Sequence, residues 1–522
     1  MSISELKQQL FSLLGKDHFL DDEKSRVLYA QDVYTKAEPA LFVIQPPTAE
    51  LLSQAIKLIS NVGLAIIPRG GGMSYTKGFV PQDDHSVIVD TSALNKVIEI
   101  NEQDMYVRVQ SGCTWKDLHQ ALKNTGLRTP FWGTLSGSRA TVGGAMSQNA
   151  IFWGSGQYGF AVDSVLSLQV ILANGDLLNT GAGAMENGSP FMRYYGPDLT
   201  GIFCADNAAL GIKTEVTLRL VPQLKYNDGV SFCFEHFAQQ AAVMSEVSRN
   251  GLASETCGFD PYLQAQRLKR ESLASDVKSL VGVMKSAGGI GKALKQGAKV
   301  ALAGRSFVEA ESWSVHFIVE DRTEAAVKER LELIREIAAK HSGNEIENTI
   351  PKVLRANPFG PVNNMIGPNG ERWAPIHTLV PHSKADIAYQ ASCQIFSKHQ
   401  TAIDKFDIGI GYLLATVSSN VFVLEPVFFW PDELNELHHH AIEPQHLKRM
   451  TAFRPSPEAR AAVNAIRQDL LIAYKDIGGA HMQIGKTYLF EQGIAKKNFS
   501  LLKEIKSLVD PDNRMNPAAL GL

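Results

Sequence analysis

A run of three glycines, Gly70-Gly71-Gly72, follows the apolar segment Leu64–Ile67 and precedes Met73 and Ser74. Glycine has no Cβ and reaches positive φ, so successive backbone N–H groups at such a turn can converge on one anion. The Ser74 hydroxyl adds a further donor. The stretch Pro68–Tyr75 therefore predicts a cradle for a nucleotide pyrophosphate, and a tight turn between two strands is the alternative.

Two later segments are rich in small residues, which suits backbone contact with an extended ligand. Ala140–Ala150 contains Gly143 and Gly144, and Gly154–Gly159 matches the pattern G-x-G-x-x-G. A dinucleotide site of the Rossmann type needs a strand before this pattern and a helix after it. A strand is predicted after it instead, over Val165–Leu172, so the sequence argues against a nicotinamide site of that type.

The elements around these loops mix strands and helices. Thr48 predicts the N-cap of a helix that ends before Gly63, and strands are predicted at Leu64–Ile67, Ser86–Asp90 and Tyr106–Gln110. The regular alternation of a doubly wound sheet is missing, so the predicted fold class is α+β. After about residue 222, longer helical segments separated by alternating runs indicate a second α+β domain.

Length and composition limit the class of protein. The chain has 522 residues, 44% hydrophobic and 20% charged, which fits two or three globular domains. The formal net charge of −3 gives no reason to expect nucleic acid as a partner. Five dispersed cysteines and the charged N-terminal helix, which lacks the apolar core of a signal peptide, predict a cytoplasmic location.

The order of these loops resembles the FAD-binding domain of the vanillyl-alcohol oxidase/p-cresol methylhydroxylase superfamily. The resemblance is carried, in chain order, by Pro68–Tyr75, Gly143-Gly144 with Asn149, Tyr158-Gly159, Leu210–Thr214 and the tail Asp510–Pro517. It implies an FAD-binding domain over residues 1–222, with an N-terminal helix at about 1–38 and a core at about 40–222. A substrate (cap) domain would span 223–475, and a C-terminal segment over 476–522 would return to the flavin.

The resemblance also implies which residues bind FAD. The first glycine loop would hold the pyrophosphate, Ala140–Ala150 and Tyr158-Gly159 would lie along the pyrophosphate and the isoalloxazine, and Gly211-Ile212 would add backbone contacts. Arg514 or Asn516 would approach the polar edge of the ring, where reduced flavin carries negative charge. The predicted FAD-binding residues are Pro68, Arg69, Gly70, Gly71, Gly72, Met73, Ser74, Thr141, Gly143, Gly144, Asn149, Tyr158, Gly159, Gly211, Ile212, Arg514 and Asn516.

Three departures from the family pattern leave the substrate class open. Many members attach FAD through a histidine after the paired glycines, and Met73 stands here, so we expect FAD not to be linked through residues 68–75. A tether from a cap residue stays open. Phe160 replaces the acid of the phenol-oxidising branch, and the late Tyr-Arg pair of that branch is absent. The His-x-Gly-Asp-Gly-Asn signature of the D-2-hydroxy-acid branch is absent as well.

The candidate catalytic groups lie in the predicted cap domain and C-terminal segment. When flavin oxidises an alcohol, a hydride moves to N5 and a base takes the hydroxyl proton; histidine suits the base because its pKa lies near neutrality. His481 is favoured because its segment resembles the active-site end of the cap, and His377 is second. Lys486 or Tyr488 would hold a carboxylate or phenolate. No metal site is predicted, since adjacent side chains in the run 438–440 diverge.

These features predict an FAD-dependent oxidase or dehydrogenase. Its substrate would be a small alcohol or a 2-hydroxy acid of the lactate or glycolate type. Oxidation of para-substituted phenols or aryl alcohols is one alternative, and a non-catalytic flavin-binding module is another. Electrons would pass to oxygen or to an electron-carrier protein, and the family habit suggests a homodimer.

Residues 265–305 differ from their surroundings in charge. They carry nine Lys or Arg against two acidic residues, with apolar side chains between them. We interpret this stretch as a solvated lid, and peripheral contact with an anionic membrane surface or a partner protein is the alternative.

Overall fold

A computed structural model of the protein describes residues 1–271 and 312–522. These residues form short strands mixed with helices, so the predicted α+β class is confirmed. Most of the basic stretch 265–305 lies outside the described residues, and only its first part falls in the helix Pro261–Glu271. No helix within the two described ranges has an apolar run long enough to cross a membrane.

The amino-terminal part of the chain builds a small sheet in the order β1-β2-β4-β3. Its strands are β1 (Phe19–Leu20), β2 (Phe42–Ile44), β3 (Ala65–Arg69) and β4 (Ser86–Asp90). β2, β4 and β3 run parallel, and the helix Ala49–Ser60 crosses from β2 to β3. Thr48 caps this helix, as the sequence predicts. Because parallel strands end at one edge, the glycine loop after β3 lies beside Thr91, whose hydroxyl donates to Arg69 O at 3.2 Å.

A second sheet is antiparallel and has the order β5-β6-β10-β8-β9. Its strands are β5 (Val97–Asn101), β6 (Tyr106–Gln110), β8 (Val165–Ile171), β9 (Leu177–Asn179) and β10 (Ile212–Arg219). A separate short pair joins β7 (Leu127–Arg128) to β11 (Val221–Pro222). Trp115, Phe131 and Trp153 are fully buried in the core beside this sheet. Their burial fixes the segments on either side of the helix Val142–Gln148.

The largest sheet of the described residues follows residue 225 and has the order β15-β12-β14-β13-β18-β19-β16, with β17 also paired to β19. Its strands are β12 (Tyr226–Phe234), β13 (Glu255–Phe259), β14 (Trp313–Asp321), β15 (Asn344–Ile346), β16 (Arg372–Pro375), β17 (Thr378–Val380), β18 (Gly409–Val417) and β19 (Val421–Trp430). On β19 the even-numbered apolar residues Phe422, Leu424 and Phe428 pack into the main core of this part. The odd-numbered residues point to the opposite face of the sheet.

Four long helices cover the core face of this sheet. They are Phe237–Arg249, Glu324–Lys340, Ala385–Lys398 and Pro457–Asp476. The other described helices are Ile3–Leu14, Glu23–Tyr29, Trp115–Leu122, Ser155–Tyr158, Leu199–Ile202, Thr349–Ala356, Gln400–Lys405, Glu436–Ala441, Pro444–Leu447, Phe490–Gly493 and Lys496–Val509.

The C-terminal tail lies along β3. The Ile66 N–H donates to Arg514 O at 2.7 Å, and the Asn516 N–H donates to Ile66 O at 2.8 Å. The buried Lys506 ammonium donates to Asp510 Oδ2, to Ala209 O and to Met515 O at 2.5 to 2.7 Å. One ion pair therefore ties the last helix to the tail that follows it.

Removing this ammonium should destabilise the protein. Lys506→Met leaves the Asp510 carboxylate buried without its cation, so we expect the free energy of unfolding to fall by about 3 to 5 kcal/mol. Denaturant unfolding followed by circular dichroism measures the change. Lys503→Met is the matched control on the same helix, because its ammonium forms an exposed pair with Glu491 at 3.6 Å and should cost below about 1 kcal/mol. Equal losses in the two variants would contradict the prediction.

Candidate functional site

The glycine loop forms one wall of a cavity of about 870 Å³, which we call the first cavity. The loop residues 68–74 face the segment 140–150 across it, and Thr91 and Ser111 line it from the ends of β4 and β6. The first cavity therefore opens where strand ends of two sheets meet.

Two glycines bring these walls together. A Cβ on Gly71 would lie 1.9 Å from Arg139 O, and a Cβ on Gly70 would lie 2.6 Å from Thr141 Oγ1. Gly72 has a φ of +70°, a conformation that costs other residues strain. The loop can hold its present shape only without side chains at these positions.

The first cavity contains polar groups that have no partner among the residues that the structure describes. None of the hydrogen bonds of the described residues uses the backbone N–H of Gly70, Gly71, Gly72 or Met73. Ser111 Oγ and Gln148 Oε1 are buried in the cavity wall and also lack a partner in the part of the chain that the structure describes. Buried polar groups are costly unless they are paired, so this wall is suited to a ligand that carries phosphate and amide edges.

The two cations at the first cavity have structural partners. The Arg69 guanidinium donates to Tyr29 O and Gln31 O at 2.9 and 2.8 Å. Lys213 donates to Asp206 Oδ1 at 2.5 Å in a buried ion pair. Both residues line the cavity, but their charges are engaged by the chain. The anion-binding capacity of the loop therefore comes from backbone amides.

A second cavity of about 1310 Å³ adjoins the first and shares Met73, Thr134, Ser136 and Gln483 with it. The odd-numbered face of β19 forms its wall. Most of its other side chains are apolar or aromatic, and they include Ile151, Phe152, Cys257, Leu263, Trp373, Leu413, Ala415, Val423, Val427, Phe429 and Met482. The two cavities can thus hold one extended ligand and a second, smaller molecule in contact with it.

A carboxyl group and a phenol stand in this apolar wall. Glu425 is 7% exposed, and its Oε2 lies 3.5 Å from the Tyr75 hydroxyl. Both residues line the second cavity. Burial raises the pKa of Glu425 to about 8, so this group is mostly protonated at pH 7. Burial and the Glu425 carboxyl also raise the pKa of Tyr75 well above its usual value.

Three of the four predicted catalytic residues lie together behind Glu425. The Tyr488 hydroxyl lies 2.7 Å from His377 Nδ1, and the His377 backbone N–H donates to the same hydroxyl at 2.9 Å. His481 Nδ1 donates to His377 O at 3.0 Å, and its ring stacks on Tyr488 with centroids 4.2 Å apart. His377 Nδ1 lies 3.7 Å from Glu425 Oε2. His377, His481 and Tyr488 form one cluster, which we call the histidine cluster. His377 and Tyr488 are buried, and His481 is partly buried.

The structure does not support direct contact between these candidates and a substrate. Neither His481, His377, Tyr488 nor Lys486 lines either cavity. Burial lowers the pKa of His377 to about 3, with a smaller contribution from His481, and lowers the pKa of His481 to about 4. Both imidazoles are therefore neutral and weakly basic at pH 7. The Lys486 ammonium donates to Val80 O at 2.9 Å, and burial lowers its pKa to about 8.

Most of the predicted FAD-binding residues do line the first cavity. They are Pro68, Arg69, Gly70, Gly71, Gly72, Met73, Ser74, Thr141, Gly143, Gly144 and Ile212. Gly211 lies next to Ile212 but packs against β8, where a Cβ would come within 2.5 Å of Val170 Cγ1. Asn149 ends the helix Val142–Gln148 in the left-handed conformation, and its buried Oδ1 has no partner among the described residues.

Tyr158, Gly159 and Arg514 lie away from the first cavity, contrary to expectation. The Tyr158 ring lies under the Arg128 guanidinium at 5.6 Å, and the turn at Gly159 packs on Asp163. The Arg514 guanidinium donates to Gly63 O, at the opposite end of β3 from the glycine loop. Pairing of the tail with Ile66 sets this direction.

Asn516 lies directly behind the wall of the first cavity. Its amide donates to Gly78 O and to Asn207 O at 2.8 and 2.7 Å, and both of these residues line the cavity. Its side chain is 1% exposed, so it supports the wall and does not face the ligand space.

The sequence reasoning missed Ser111, Gln483 and the pair Tyr75–Glu425. Ser111 follows β6 directly, and a polar residue at a strand end was the available signal. Glu425 is the single charged residue in the apolar strand β19, and an isolated carboxyl in such a run was its signal. No local pattern singles out Gln483, which the fold brings to the boundary of the two cavities.

Comparison with known proteins assigns a family profile to the part of the chain that contains the glycine loop. A family profile described as FAD binding domain matches residues 40–181. The glycolate oxidase subunit GlcD of Bacillus subtilis (strain 168) is 28% identical over 262 residues, which cover 50% of this chain and 54% of that protein. The mitochondrial D-lactate dehydrogenase (cytochrome) of Arabidopsis thaliana is 27% identical over 347 residues, 65% of this chain and 53% of that protein. The chain spans about half the length of these curated relatives.

Among solved structures, p-cresol methylhydroxylase with substrate bound has a TM-score of 0.74 at 17% identity and covers 99% of this chain and 96% of its own. At that identity the likeness shows the fold alone. With the profile match it confirms the predicted resemblance, and residues 40–181 form an FAD-binding domain. The cofactor is FAD, and the unpaired N–H groups of the glycine loop fit its pyrophosphate. The described residues contain no group of three or more His, Cys, Asp or Glu suited to a metal ion.

A side chain at Gly71 should weaken FAD binding. Gly71→Ala forces the loop away from Arg139, so we expect the Kd of FAD to rise about tenfold or more, which corresponds to about 1.4 kcal/mol. Titration of the apoprotein with FAD, followed by flavin fluorescence, gives the Kd. Gly493→Ala is the control, because its nearest neighbouring atom would lie 3.8 Å from the new Cβ. Unchanged affinity in Gly71→Ala would contradict the proposed contact.

Unless a residue of the cap domain tethers FAD, the cofactor should be released when the protein is precipitated with acid. Met73 stands where a covalent link through the loop would need a histidine, and a thioether does not form that bond. The measurement is the partition of yellow colour between supernatant and pellet. Flavin retained on a peptide from residues 68–75 would show that the prediction is wrong.

Proposed function

We propose that the protein is an FAD-dependent oxidoreductase that takes a hydride from a C–H bond next to a hydroxyl group. The observation that carries the proposal is the junction of the two cavities at Met73, Thr134, Ser136 and Gln483. A small substrate in the second cavity would touch the end of an FAD that extends from the glycine loop. The bound flavin would supply a two-electron acceptor.

In this proposal the chain binds and orients the reactants and excludes water from them. The backbone N–H groups of residues 70–73 hold the pyrophosphate, and Ser111 and Gln148 offer hydrogen bonds to other polar edges of the cofactor. The apolar face of β19 keeps water from the substrate. The histidine cluster lies behind this face and acts through Glu425, since none of its members lines either cavity.

The substrate would be a small alcohol, and two classes have support. The relatives named as a glycolate oxidase subunit and a D-lactate dehydrogenase favour a 2-hydroxy acid. The aromatic and aliphatic lining of the second cavity favours the alternative, a para-substituted phenol or an aryl alcohol. A non-catalytic flavin-binding module is the second alternative, because the sequence lacks the signatures of both the phenol-oxidising and the D-2-hydroxy-acid branch.

The proposal also assigns a role to each of three parts of the chain. Residues 1–222 would bind FAD, residues 223–475 would form the substrate (cap) domain, and residues 476–522 would complete the flavin site. Pairing of the tail with Ile66 supports the third assignment.

Oxygen or an electron-carrier protein would receive the electrons, and the word cytochrome in the name of the plant relative supports a carrier. A homodimer in the cytoplasm completes the proposal.

Anaerobic bleaching tests cofactor and substrate class together. We expect the yellow protein to lose its colour with at least one of glycolate, D-lactate, benzyl alcohol and 4-hydroxybenzyl alcohol, because each carries a hydroxyl beside a C–H bond. Dithionite serves as the control that the flavin is reducible. A colourless purified protein would exclude the flavin enzyme, and a yellow protein that only dithionite bleaches would favour the non-catalytic module.

A further inference from the structure

Glu425 occupies a position that apolar residues otherwise hold. It lies on β19 opposite Leu413 of β18, and Val423 and Val427 precede and follow it on the cavity face. Desolvation makes a carboxyl group costly at such a site unless a partner compensates for it. Strand geometry therefore turns this carboxyl toward the second cavity at a cost to stability, which is typical of functional groups.

No cationic side chain among the described residues pairs with the Glu425 carboxyl group. Its polar contacts among the described residues are the Tyr75 hydroxyl at 3.5 Å and His377 Nδ1 at 3.7 Å, and no Lys or Arg of that part of the chain pairs with it. The His377 imidazole is uncharged at neutral pH because burial lowers its pKa to about 3. Glu425 can therefore exist as a neutral acid and can accept or release one proton inside the cavity.

The histidine cluster lies behind this carboxyl, with His377 Nδ1 3.7 Å from Glu425 Oε2. The Tyr488 hydroxyl contacts His377 at two atoms, the backbone N–H and the ring Nδ1 of His377. The Met482 N–H donates to His377 Nε2 at 3.2 Å. The ring of His377 is fully buried and cannot turn toward the cavity. His377 is thus a positioning residue, and the group that faces a substrate is Glu425.

We propose that Glu425, aided by the Tyr75 hydroxyl, binds the hydroxyl group of the substrate and takes its proton. This inference rests on the proposed function. The substrate C–H bond breaks and its hydride passes with two electrons to the oxidised flavin. The substrate O–H bond breaks and its proton passes to the Glu425 carboxylate. The alcohol thereby becomes a carbonyl compound, and charge and atoms balance.

The same geometry assigns a preference among substrates. Glu425 must be ionised to accept a proton, and it would then repel a second carboxylate in the same low-dielectric space. An uncharged alcohol on an apolar or aromatic body avoids this repulsion and fills the wall formed by β18 and β19. We therefore expect benzyl alcohol to reduce the flavin faster than glycolate does.

The pH dependence follows from the groups that face Glu425. Tyr75 and Tyr488 have pKa values raised well above 10 by burial, and His377 has a pKa lowered to about 3. The nearby Arg467 guanidinium partly offsets the raised pKa of both tyrosines. Glu425, at about 8, is the member of this set that changes charge between pH 6 and 9. A base is active when ionised, so flavin reduction should accelerate as pH rises through about 8.

Glu425→Gln in the holoprotein tests the proposal. The amide keeps the shape of the side chain but cannot take a proton, so we expect the rate of anaerobic flavin reduction by benzyl alcohol to fall by about 10²-fold or more and its rise with pH to vanish. The infrared band of a protonated carboxyl group, present at pH 7 in the wild type and titrating near pH 8, should be missing in the variant. Glu458→Gln, which changes an exposed carboxyl on the helix Pro457–Asp476, is the matched control for both readouts.

The outcomes separate the two proposals. A wild type that no alcohol or hydroxy acid bleaches overturns the proposed function and this inference with it. A wild type that is bleached at the same rate and with the same pH profile as Glu425→Gln overturns the role of Glu425 alone. If Glu425→Gln fails to retain FAD, the pH dependence of flavin reduction in Glu425→Asp tests the role of Glu425 instead. A shortened carboxylate should retain a pH-dependent rate with a shifted midpoint, and an unchanged midpoint would contradict the proposal.

Discussion

The candidate site depends on one steric constraint, the close approach of the glycine loop to residues 139–141. A single Cβ on Gly71 would overlap Arg139 O, so the loop keeps its shape only because no side chain is present. Within residues 1–271 and 312–522, this approach leaves the N–H groups of residues 70–73 without partners on the cavity side. The parallel order of β2, β4 and β3 then supplies Thr91 beside the loop, and the tail on β3 closes the sheet behind it.

The second cavity depends on a different constraint, which is the alternation of side chains along β19. Its even-numbered residues fill the core under the long helices, so its odd-numbered residues must face the cavity. A shift of one residue in the pairing with β18 would bury Glu425 in that core and expose Phe428 to the cavity. The register of a large hydrophobic sheet therefore determines where the carboxyl group stands.

Local signals in the sequence sufficed for part of this structure. Thr48 caps the start of a helix, and Gly63, with its positive φ, follows the end of the same helix. The glycine loop can be recognised from its three consecutive glycines. The resemblance to a flavoprotein family supplied the cofactor, and most of the FAD-binding residues that it predicted line the first cavity. These features are encoded within a few neighbouring residues, so no knowledge of the tertiary fold was needed.

The remaining site residues depend on contacts between distant segments. Arg514 was expected at the flavin, but the pairing of Ile66 with the tail directs its guanidinium to Gly63. Glu425 and Tyr75 are separated by 350 residues and meet only because the largest sheet packs against the glycine loop. No periodicity or motif in the sequence contains that information.

The two histidines show how burial can change the role that residue type suggests. Imidazole is a natural proton acceptor in water because its pKa lies close to 7. Within the histidine cluster, loss of solvent lowers the pKa of His377 and His481, while the same loss of solvent raises the pKa of Glu425. Burial thus moves the group that titrates near neutrality from the histidines to the carboxylic acid. A single physical cause makes the histidines a scaffold and makes Glu425 the titrating group that faces the cavity.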